Sequence, residues 1–122
     1  MLEFFGRFHP VFVHLPIGIL LVSCVLILMS LKSQFANLKA SIPYLLFFGT
    51  LSAVFSCVTG YFLANSGEYD SELVSNHQGL GISVAVISFA LWFFYRKITS
   101  NFILGGFSVL LIILIAITGH LG

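Results

Sequence analysis

Four apolar runs of about twenty residues each fill most of this 122-residue chain, and they decide what it can fold into. They lie at about 11–31, 42–64, 76–95 and 102–121. At about 1.5 Å per helical residue, each reaches across the hydrocarbon layer of a bilayer. With 59% of residues hydrophobic and 7% charged, the chain carries more apolar surface than a soluble domain of this size can hide. The expected fold is therefore an all-α membrane protein, a four-transmembrane-helix bundle in a single domain over 1–122. A net charge of +1 leaves no basic stripe for a nucleic acid, and membrane lipid is the expected surrounding.

The helix starts carry signals in the sequence. Ser41 and Pro43 open the second run, Ser75 and Asn76 the third, Ser100 and Asn101 the fourth. The first run is too long for a signal-peptide core and no small-x-small cleavage site follows it, so it reads as a retained helix. Pro16 denies the Phe12 carbonyl its hydrogen bond. The first helix must then begin near His14 after a separate turn, or be kinked there. Residues 2–8, with Glu3, Arg7 and three interleaved phenylalanines, read as a short interfacial segment.

Orientation follows from Lys and Arg, which favour cytoplasmic loops. The first loop holds Lys32 and Lys39, and the third holds Arg96 and Lys97. The second holds Glu68, Asp70 and Glu72 and no base. Both termini and the acidic loop are thus expected outside. Under that topology His9, His14, His77 and His120, the chain's only histidines, all sit at the outer end. Tyr61 and Tyr69 fall at the same level, where an aromatic belt forms.

The sequence also echoes itself. His14-Leu15-Pro16-Ile17-Gly18-Ile19 aligns with His77-Gln78-Gly79-Leu80-Gly81-Ile82, and Thr59-Gly60 aligns with Thr118-Gly119. Two repeated helical hairpins would make His14 and His77 mates at one depth. Each has a glycine four residues on, Gly18 and Gly81, on the same helical face. Such a glycine either lines a helix–helix contact or admits a flat ligand beside the imidazole. The second run adds a small-residue stripe through Gly49, Ala53 and Cys57. Cys24 and Cys57 differ in depth by roughly 10 Å, which disfavours a disulfide.

Imidazole ligates haem iron, copper and zinc, and helix bundles build such sites from facing helices. The leading expectation is haem b, one or two molecules, with His14 and His77 as the axial pair. His9 and His120 are then ligands of a second haem or neighbours of the first, and Arg7 is placed to pair with a propionate. The rival is a copper or zinc site on the same four histidines, completed by Glu68, Asp70 or Glu72. A third reading is a structural subunit whose histidines hydrogen-bond to loop carbonyls. No nucleophile–base pair, phosphate loop or paired carboxylate is present, so an electron carrier or subunit is expected rather than an autonomous enzyme.

The opening His9-Pro10-x-x-Val13-His14-x-Pro16-Ile17-Gly18, with Gly60-Tyr61, His77 and the closing His120-Leu121-Gly122, resembles a known bacterial family. That family is an uncharacterised four-helix membrane domain found alone or beside c-type cytochrome domains. The resemblance spans nearly the whole chain and is most specific at the double-histidine, double-proline opening. It implies a multi-pass protein of the bacterial cytoplasmic (inner) membrane, with its histidine site toward the periplasm. It also implies electron transfer, with a c-type cytochrome or a larger membrane complex as partner.

Overall fold

The computed structural model describes residues 2–65, 67 and 69–121. In order, it contains α1 (Leu2–Gly6), α2 (His9–Phe12), α3 (His14–Ser30), a 3₁₀ segment (Ser33–Ala40), α4 (Ile42–Ala64), α5 (Ser71–Phe94) and α6 (Asn101–Leu121). The stretch His9–Ser30 and the helices α4, α5 and α6 are each long and apolar enough to cross a membrane. The protein is all-helical and fits a multi-pass membrane protein.

The helices close into a ring. Each of α3 to α6 packs on its neighbour in sequence, and α6 returns against α3. The contact stripe repeats at alternating three- and four-residue steps, which keeps it on one face of a helix. On α3 it runs Leu20, Cys24, Ile27; on α6, Leu104, Ser108, Leu111, Ile115. Most of the remaining surface is apolar and exposed, including Phe55, Val86, Phe89 and Phe102. A helix that is hydrophobic on its outer face as well belongs in lipid.

Several hydroxyls lie inside the bundle. Ser23, Ser88 and Ser108 are fully buried, and each donates to a carbonyl of its own helix, namely Ile19, Ala85 and Leu104. They cost little in a dry core because each carries its own acceptor with it. The stripe on α4 packs within the bundle: a methyl at Gly49 would stand 2.5 Å from Leu20 Cδ2. The two cysteines are free.

One helix start differs from the sequence expectation. The helix expected from 76 begins at Ser71, because the Asp70 carboxylate accepts from the backbone N–H groups of Glu72 and Leu73 at 3.0 and 3.3 Å. That cap satisfies donors left free at a helix start, and Glu72 adds negative charge where the dipole favours it. The first span begins at His9 and is interrupted at Val13, whose backbone stays in the right-handed helical region. Pro16 has no N–H to give Phe12, and α3 begins at His14 after the separate short helix α2, one of the two arrangements expected from the sequence. The interfacial segment becomes α1, with Phe4, Phe5 and Phe8 exposed and its end seated on α4.

Candidate functional site

At the end of the bundle where α3 and α5 begin and α4 and α6 finish, the helices part around a cavity of about 510 Å³. That size falls within the range of small-ligand and cofactor pockets. All of α2 to α6 contribute to its wall, and among the described residues no Lys, Arg, Asp or Glu lines it. His9, His14 and His77 are on that wall, together with Tyr69 and Gln78.

His9 is carried by α2, which lies against the last turns of α4. Its Nδ1 is 3.2 Å from the Thr59 hydroxyl. Thr59 spends its own hydrogen on the Ser56 carbonyl, 3.1 Å away, so the oxygen is free to accept. His9 Nδ1 therefore carries the proton and donates, which leaves Nε2 as a lone-pair nitrogen in the neutral ring. Gly60 makes the seat possible. A methyl there would fall 2.9 Å from His9 Cε1.

His77 is held the same way by the other pair of helices. Its Nδ1 lies 3.1 Å from the Thr118 carbonyl. That carbonyl belongs to the last turn of α6. A carbonyl only accepts, so His77 Nδ1 also donates. A neutral ring held this way offers Nε2 to a metal, as in metal-binding histidines whose far nitrogen is engaged. The two rings stand 6.1 Å apart, centre to centre, with their planes at 80°.

The other expected site residues divide. His14 faces the cavity from an exposed position and makes no side-chain hydrogen bond among the described residues. The ring that approaches His77 is His9, carried by α2 where it packs against α4. Gly81 lines the cavity, and a methyl on it would lie 3.8 Å from Cys57 Sγ. Gly18, Arg7 and His120 are exposed and do not line it. Gly18 has nothing within 4 Å of where a methyl would sit, so it clears no room beside an imidazole.

For a multi-ligand copper or zinc centre, no group of three or more His, Cys, Asp or Glu converges among the described residues. Asp70 is engaged as a helix cap, and Glu68 lies outside the described residues. Sequence reasoning missed Thr59 and Thr118 as the partners that hold the histidines. The signal was there in the repeated Thr-Gly. Comparison of the chain with family models, curated proteins and solved structures returned no match.

Proposed function

We propose that this is a membrane b-type haem protein, an electron-transfer subunit in which His9 and His77 are the axial ligands. One observation carries the reading: two imidazoles, each with its Nδ1 hydrogen-bonded, stand 6.1 Å apart, centre to centre, on the wall of an apolar cavity. His9 and His77 would be the residues that hold the haem iron, through imidazole nitrogen. The donor set and the apolar lining suit a macrocycle. With no charged residue in the wall among the described residues, ionised propionates would belong at the mouth, in reach of water. Haem bound there would supply one-electron chemistry; the chain supplies the ligands, their orientation and a dry setting that tunes the potential.

The basic loops favour a topology with both termini and the histidine end outside, toward the periplasm in a bacterial inner membrane. A c-type cytochrome or a larger membrane complex would then meet the haem edge from that side. A second reading rests on the same hydrogen bonds, which tie α2 to α4 and α5 to α6: the histidines would be structural staples.

Absorption spectra of the detergent-purified protein, oxidised and dithionite-reduced, decide between them. A sharp Soret band with resolved α and β bands is the expected result. A colourless protein from haem-sufficient cells would overturn the haem reading, and copper and zinc analysis would then test the metal alternative.

A further inference from the structure

The polar groups on the wall of the histidine cavity are unevenly placed. Its buried part is apolar apart from Ser56, with Pro16, Ala53, Val84 and Ile115 around it. Lining residues that are also exposed mark where the cavity opens, and Tyr69, just ahead of α5, and Leu73, in its first turn, are two of them. Gln78, next to His77 on α5, is half-buried on the same wall. His9 and His77 already spend their Nδ1 atoms on Thr59 and Thr118. The Tyr69 hydroxyl and the Gln78 amide make no hydrogen bond among the described residues. Arg7, the cation expected to meet a propionate, stands off the wall.

From these features we infer that Tyr69 and Gln78 receive the carboxylate end of the cavity's ligand, so that the site selects a haem with free propionates. The inference rests on the haem reading and adds the residues that orient the macrocycle. A carboxylate drawn against a neutral wall loses water and needs donors in its place. A phenol offers one and a primary amide two, and this wall spends none of them elsewhere. Hydrogen bonds to an ionised acceptor are about twice as strong as those between neutral groups, so the pair distinguishes a propionate from its ester. Axial ligation by His9 and His77 leaves a macrocycle free to turn about the axis they define. Hydrogen bonds to a carboxylate at its edge stop that turn. Tyr69, His77 and Gln78 all lie at the start of α5, so one helix end supplies a ligand to the iron and the donors that set the ring's rotation.

The test titrates the detergent-purified full chain, prepared without haem, with haem b and with its dimethyl ester, and reads both Kd values from the Soret band. Wild type is expected to prefer the free acid. Tyr69→Phe and Gln78→Leu should each weaken the acid about tenfold and the ester about threefold or less, with the reduced α band and thermal unfolding unchanged. Arg7→Gln and Tyr61→Phe, exposed and off the wall, should leave both affinities as they are. Equal losses for acid and ester in the two wall variants would overturn the inference, because a merely structural role moves both alike. Unchanged acid affinity in both would overturn it too, and loss of the acid preference in Arg7→Gln would give the carboxylate to Arg7 instead. A wild-type chain that binds acid and ester equally overturns this inference and leaves the haem reading standing. One that binds neither overturns both.

Discussion

The Nδ1 atom of His9 meets the hydroxyl of Thr59 at 3.2 Å, fifty residues along the chain, and the contact joins α2 to the last turns of α4. Forty-one residues separate His77 from Thr118, whose carbonyl meets the His77 Nδ1 at 3.1 Å. The same relation, a histidine at one helix start and the threonine of a Thr-Gly at the next helix end, occurs twice in the chain. One member uses a side-chain oxygen and the other a backbone oxygen. That difference separates their consequences.

If His9 and His77 are the axial pair, each alone is indispensable to a six-coordinate spectrum. His9→Ala and His77→Ala are both expected to lose the sharp reduced α band. His14→Ala and His120→Ala should retain it, because neither residue makes the ring-to-ring approach. Pyridine haemochrome quantification of the four variants checks this. Haem lost from His14→Ala and kept in His9→Ala would assign the axial role to His14.

Thr59→Val and Thr118→Val should behave differently. Valine at 59 keeps the shape and removes the acceptor that fixes the His9 tautomer, and loss of such a partner typically weakens metal binding about 10- to 100-fold. Valine at 118 leaves the carbonyl that His77 uses. Haem retention is expected to fall at least about tenfold in the first and to stay close to wild type in the second. Competitive transfer of haem to an apo-globin acceptor measures both. Equal losses would mean that neither contact acts through the imidazole.

The fold was legible because its cause is one-dimensional. Apolar runs long enough for a bilayer can do little else, and the stripe of Leu104, Ser108, Leu111 and Ile115 is readable from spacing alone. The site was legible only in part. Aligning the repeats by their apolar neighbours pairs His14 with His77, yet the separate short helix α2 packs on α4 and presents His9. That packing depends on how a proline-bearing span settles against a neighbouring helix, and no local pattern encodes it. Gly18 and Gly81 looked alike in sequence for the same reason. One faces open space and the other faces Cys57.

Glycines at three positions should therefore respond in three ways to alanine. At Gly18 the added methyl meets nothing, and removing a helical glycine stabilises by roughly 0.5–1 kcal/mol. At Gly6 it would lie 2.7 Å from the backbone nitrogen of Leu63, which cannot yield as a side chain can; a cost of about 1–3 kcal/mol is expected, with α1 displaced from α4. At Gly60 it would strike the His9 ring, so haem binding should fall more than stability does. Thermal unfolding beside the haem spectrum separates the three. A Gly60→Ala protein with wild-type haem content would show that the ring has room to move.

Asp70 is expected to matter through the backbone alone. Its carboxylate caps α5 by accepting from Glu72 and Leu73, and His77 stands on the same helix just past the capped turn. Asp70→Ala should cost about 1 kcal/mol, while Asp70→Asn, itself a good cap, should cost much less. Fraying the first turn would also loosen His77, so the alanine variant should exchange haem faster at unchanged Soret wavelength. An Asp70→Asn protein destabilised as much as Asp70→Ala would instead mean that the capping side chain is not what starts the helix at Ser71.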